Sequence, residues 1–186
     1  MYEQGLKNLT NKQVSLGMTS IKEAVQLDPV NPVFRNTLGV VLLDLAKPAE
    51  AEAEFRKAIE LDPAYAEAHH NLGLSFAEQG RWEQAIAAYR KALSLPIYST
   101  PEVAYYNLGR AYTQTGKPRD AEEALRTAIQ LDPRLGAAYY QLGLVLASSA
   151  RPDEARAAFR RARDLEPESP FGRAASEALK ALGEGG

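Results

Sequence analysis

A period constrains this chain more than any single motif. Gly5, Gly39, Gly73, Gly109 and Gly143 stand 34, 34, 36 and 34 residues apart. Twelve positions after each comes a small residue (Gly17, Ala51, Ala85, Ala121, Ala155), and four later a large apolar one (Ile21, Phe55, Tyr89, Leu125, Phe159). Three further on there is always alanine, and five beyond that stand Pro29, Pro63, Pro133 and Pro167, with Ile97 the exception. Self-similarity on this scale means a supersecondary unit that cannot bury its own apolar face and stacks on its neighbours instead.

Within one unit the spacing is helical. Leu38, Leu42, Phe55, Ala58, Ile59 and Leu61 recur at steps of three and four, which predicts one helix over 33–45 and a second over 49–61. Pro48, Pro118 and Pro152 fall in the first turn of the second helix, where a missing N–H costs nothing and a fixed φ suits the start. Small residues such as Gly73 and Ala85 let paired helices approach closely. Ser169 before Pro170 reads as the N-cap of a lone last helix over 170–182. Its apolar face would cover the last repeat.

The period divides 1–182 as one repeat domain into 1–31, 32–65, 66–101, 102–135, 136–169 and the final helix 170–182, with 183–186 expected as a disordered tail. The first repeat matches least well: Gln4 stands where the others have leucine, and Gly5 occupies the eighth position of its repeat. Its helices are expected over 2–9 and 12–28, with the opening turn of the first removed together with residues upstream. The junction from Leu95 to Pro101 is two residues longer than the others and replaces Leu-Asp-Pro, which singles out Ile97, Tyr98 and Pro101.

The repeat pattern carries little chemistry. His69 and His70 are the only histidines, and as neighbours they diverge on a helix, so neither a metal site nor a catalytic base is expected. Pairs such as Glu50/Glu54 and Glu122/Glu123 read as solvated outer faces. No phosphate-binding glycine loop or nucleophile elbow occurs, so no cofactor is expected. Cysteine is absent, which excludes a disulfide framework, and a formal charge of −2 offers no general attraction to nucleic acid. No apolar run approaches the roughly 20 residues of a membrane span.

Tyr105-x2-Leu108-Gly109-x2-Tyr112, then Ala155-x3-Phe159 and Pro167, resemble the tetratricopeptide repeat family. Arg35 and His69 depart from its first aromatic. The resemblance implies an all-α, right-handed superhelical solenoid of antiparallel helix pairs with a C-terminal capping helix. It also implies a concave groove lined by positions five and nine of each first helix: Tyr2 and Leu6, Asn36 and Val40, His70 and Leu74, Tyr106 and Arg110, Tyr140 and Leu144. Such an apolar strip with one arginine suits a peptide segment of a protein partner, with Tyr106, Arg110 and Tyr140 as its hot spots. The carboxylate clamp of many relatives is not expected. Asn36 and Asn71 would fit it, but Val40, Leu74 and Glu67 stand where basic residues are needed.

The segment from Leu95 to Gly109, with Tyr98-x-x-Pro101-Glu102 ahead of Asn107-Leu108-Gly109, is similar to the long junction of the type IV pilus lipoproteins called pilotins. That likeness implies a non-catalytic protein at the periplasmic face of a bacterial outer membrane, helping the pilus secretin assemble. Membrane attachment would come only through a lipid anchor that this chain does not carry. The alternative is a cytoplasmic or periplasmic adaptor or co-chaperone for another peptide.

Overall fold

The computed structural model describes residues 1–183; the expected tail lies, beyond Gly183, outside the described residues. Among them every regular element is a helix, and the chain divides into two compact units, Met1–Ser99 and Thr100–Gly186. The first unit holds three helical hairpins: α1 (Tyr2–Thr10) with α2 (Val14–Leu27), α3 (Pro32–Asp44) with α4 (Pro48–Leu61), and α5 (Ala66–Glu78) with α6 (Trp82–Leu93). The second holds α7 (Pro101–Gln114) with α8 (Pro118–Leu131), α9 (Gly136–Ser148) with α10 (Pro152–Leu165), and the last helix α11 (Pro170–Ala181). Within the units, α4 packs on α5, α8 on α9, and α11 against both α9 and α10.

The repeating glycine has one physical cause. A Cβ built on Gly5, Gly73, Gly109 or Gly143 would come 2.7, 2.5, 2.6 and 2.5 Å from the side chains of Ile21, Tyr89, Leu125 and Phe159, and one on Gly39 would clash with Phe55 in the same way. The large residue sixteen positions later therefore lies flat on the bare backbone of the glycine. All five of these large side chains are almost fully buried. Alanines 24, 58, 92, 128 and 162 sit one turn further along the same helix, also closed from solvent.

Each hairpin turn is the same backbone motif. The second residue after the first helix adopts positive φ at Lys12 (59°), Ala46 (55°), Gly80 (70°), Gly116 (68°) and Ala150 (57°). The next N–H then reaches back to the helix, as Lys47 to the Leu42 carbonyl at 2.9 Å and Arg81 to Phe76 at 2.9 Å. Only glycine takes this conformation without steric cost. Ala46→Gly or Ala150→Gly is therefore expected to stabilise its hairpin by about 0.5–1 kcal/mol, the relief of the left-handed strain exceeding the added unfolded-state entropy. The check is an upward shift of the urea midpoint; a downward one would show these turns to be unstrained.

The junctions between hairpins explain Leu-Asp-Pro. The Asp62 carboxylate accepts the Ala64 N–H at 2.9 Å, and Asp132 accepts that of Arg134 at 2.9 Å, closing the turn around the proline. The proline carbonyls serve the two departures from the family aromatic: Arg35 Nε donates to Pro29 O at 3.4 Å, and His69 Nε2 to Pro63 O at 3.0 Å. Ser169 caps α11, its hydroxyl accepting the Gly172 N–H at 3.0 Å, as the sequence suggests.

The acidic pairs are not simply solvated. Glu54 is mostly covered and bridges Arg35 and Lys57 at 3.0 and 2.9 Å, while Glu122 joins Arg126 and Arg151 at 2.8 and 2.6 Å. Glu50, paired with Lys47 at 2.8 Å, and Glu123 keep the open positions expected of them. The difference is geometric: an arginine from the next hairpin, or from the partner helix, crosses the outer face and takes the carboxylate.

Candidate functional site

The inner positions of the first helices divide between the two units. In the first, Tyr2 stacks on Phe34 with ring centroids 4.5 Å apart and shares a 2.9 Å hydrogen bond with Thr37 Oγ1. Asn36 is buried: it donates to the Tyr65 hydroxyl at 3.3 Å and accepts from Asn71 Nδ2 at 2.9 Å. The two amides that a carboxylate clamp would need are thus joined to each other. Val40 is exposed and Leu74 half-buried, so the apolar part of the expected strip reaches the surface here.

His70, expected to line a surface, is only 8% exposed. Its ring lies 5.5 Å from that of Tyr89 and 5.9 Å from that of Tyr98, the junction tyrosine, which folds back over α5. Ser99 Oγ holds this fold by donating to Glu67 Oε1 at 2.8 Å. Burial pushes the imidazole down to about 4, against the pull of the nearby Glu67 carboxylate. His70 is accordingly neutral at pH 7 and belongs to the packing. Ile97, beside Tyr98, is 83% exposed, whereas Pro101 opens α7 at its first turn.

The second unit keeps its expected positions nearer the surface. Tyr106 is half-buried, and the Arg110 guanidinium stands 5.8 Å over its ring. Burial raises the Tyr106 phenol above its ordinary value, with Arg110 pulling the other way. Arg110 is exposed, and among the described residues no carboxylate pairs with it. Tyr140 is half-buried, its ring 5.8 Å from Phe159 and 6.0 Å from Phe171. Leu144 is exposed. Phe171 was not singled out as a site residue; its apolar spacing on α11 was the only signal, and it pointed to a cap.

Among the described residues no three histidine, aspartate or glutamate side chains gather as metal ligands, and no helix is long and apolar enough to cross a membrane. What the second unit presents is a cation over an aromatic ring on α7, and a partly open tyrosine and an exposed leucine on the contacting helix α9. Such a surface can bind an apolar side chain and a carboxylate together.

The tetratricopeptide repeat family model matches residues 36–100 and 106–170. No curated protein matches the chain. Among solved structures, MamA is 29% identical with a TM-score of 0.77, covering 88% of this chain and 95% of its own. PilW, described as a widely conserved type IV pilus biogenesis factor, is 22% identical with a TM-score of 0.87, covering 96% of this chain and 84% of its own. PilF of Pseudomonas aeruginosa is 21% identical with a TM-score of 0.81, covering 100% and 91%.

Proposed function

Because the chain belongs to the tetratricopeptide repeat family, a family of non-catalytic protein-interaction scaffolds, we propose that it holds a peptide segment of a protein partner on the inner face of α7 and α9. The observation that carries this reading is Arg110, solvent-exposed and among the described residues without a carboxylate, over the Tyr106 ring on α7, a helix in contact with the α9 that carries Tyr140 and Leu144. An arginine held by an aromatic ring has already lost part of its rotamer freedom, so a bound carboxylate gains more of the interaction. Apolar neighbours would take the hydrophobic side of the same segment.

The partner we propose is the pilus secretin, with the protein acting as a pilotin at the periplasmic face of a bacterial outer membrane. Support comes from the Tyr98-x-x-Pro101-Glu102 junction and from the likeness of fold to PilW and PilF. A second reading, an adaptor for a different peptide, draws on the higher identity to MamA.

Pull-down with detergent-solubilised secretin tests the partner. Tyr106→Ala should weaken binding roughly 30-fold, the loss of about 2 kcal/mol from one buried tyrosine, and Arg110→Ala should weaken it by a similar order. Circular dichroism should show both variants as helical as the parent. Full binding by both would remove the groove assignment, and no secretin bound by the parent chain would remove the pilotin one.

A further inference from the structure

Residues 52–84 and 122–154 are equivalent stretches offset by 70 positions, one in each unit, and they build nearly the same ionic frame. Arg81 Nη1 meets Glu52 Oε2 at 2.6 Å, and Arg151 Nη1 meets Glu122 Oε2 at 2.6 Å. Arg56 closes on Glu52 at 2.9 Å, and Arg126 on Glu122 at 2.8 Å. Burial opposes ionisation of Glu52, but hydrogen bonds from Gln79, Arg56 and Arg81 together hold its carboxyl below the ordinary value; in Glu122 the bond from Arg151 leads in the same direction.

The frames differ in what stands inside them. In the first unit Phe76 fills the place between the two arginines, its ring centroid 5.5 Å from the Arg56 guanidinium and 4.5 Å from that of Arg81, and it is 4% exposed. In the second unit the equivalent residue is Leu146, which is shorter and ends without a π face. There an open indentation of about 260 Å³ remains, walled by Tyr139, Leu142, Leu146 and Ala157, with Arg126 and Glu154 on its rim. Tyr139, one of its walls, has the Arg161 guanidinium 5.9 Å from its ring.

We infer that this indentation is a docking pocket for one phenylalanine side chain of a partner protein, seated where Phe76 sits in the first unit. The chemistry has its precedent in the chain itself: an equivalent arginine pair holds a phenyl ring at an apolar floor one double repeat earlier, and of that pair Arg126 borders the space in the second unit. An aromatic ring there would regain the dispersion contacts that Leu146 leaves unmade and would bring its face to Arg126. This pocket uses side chains other than Tyr106, Arg110, Tyr140 and Leu144 and is rimmed by Arg126 and Glu154 of the second helices, so it is a contact point separate from the inner face.

The probe is N-acetylphenylalanine amide, titrated into the isotopically labelled full chain and followed by NMR. Saturable shifts are expected at Leu142, Leu146, Ala157 and Ala158, and they should be lost in Leu146→Phe, which plugs the pocket from inside. Ala157→Met, at an exposed wall position, should block it without touching the core. Phe76→Leu should open the equivalent site, with new shifts at Ala87 and Ala88. N-acetylleucine amide should bind about two- to five-fold more weakly, the margin of one exposed cation–π contact. No localised shifts in the parent chain, unchanged shifts in both blocked variants, or equal response to the leucine probe would overturn the assignment. Tyr106→Ala should leave the shifts in place, so failure of the inner-face reading is told apart from failure of this one.

Discussion

Phe159→Ala is expected to lower the stability of the second unit by about 3–5 kcal/mol, the range for emptying a buried phenylalanine site. Phe159 is 1% exposed and lies against the bare Cα of Gly143, with Tyr140 at its edge. Neither neighbour can collapse into the space, because the glycine has no side chain and Tyr140 is engaged by Phe171 on its other side. The companion variant, Gly143→Ala, adds a methyl 2.5 Å from the Phe159 ring. Overpacking of about 1–3 kcal/mol is then set against a gain of about 1 kcal/mol in helix propensity, so the net loss is smaller. Combined, the two changes should cost less than their sum, since the new methyl occupies part of the vacated volume. Urea unfolding with an unchanged slope measures all three. A Phe159→Ala loss below 1 kcal/mol, or strict additivity, would show that the glycine and the ring are not a packing pair.

Acid should weaken the first unit through His70. The imidazole sits at about 4 in the folded protein and near 6.5 when unfolded, so below 6.5 the unfolded chain binds the proton that the folded chain refuses. The contribution of the neutral ring is complete above pH 6.5 and is lost as the pH falls to 4, a total of about 3 kcal/mol. The groups that face it are Glu67 one turn earlier on α5, Tyr89 on α6 and Tyr98 from the junction. Only Glu67 could favour the charged form, and it is the weaker influence. Comparing the parent with His70→Gln isolates this term, because carboxylates titrate alike in both. If the two pH profiles run parallel between 6.5 and 4, His70 is not buried as described.

The glycine period, the alanine one turn past each large residue, and prolines at the helix starts were enough to place the hairpins to within a residue or two. Pro32, Pro48, Pro118 and Pro152 each open a helix. These signals are legible because they are local: each depends on one helix, one turn or the pair that closes within a hairpin. Tyr106, Arg110, Tyr140, Leu144 and Val40 likewise stand at or near the surface, where a face of one helix suffices to place them.

Asn36 and His70 share the same periodic positions yet are buried, since Tyr65 and Asn71 reach across to one and Tyr98 folds down on the other. The substitution of Leu146 for Phe76 could be read in the sequence, but that Arg126 and Glu154 stand at the rim of the space it leaves could not. Repetition in the sequence determines which residue faces the neighbouring helix, because that follows from 3.6 residues per turn. Whether such a residue is then open or covered was decided by the tertiary structure, because the covering side chain comes from some thirty residues away, as Tyr65 and Asn71 reach Asn36 and Tyr98 reaches His70.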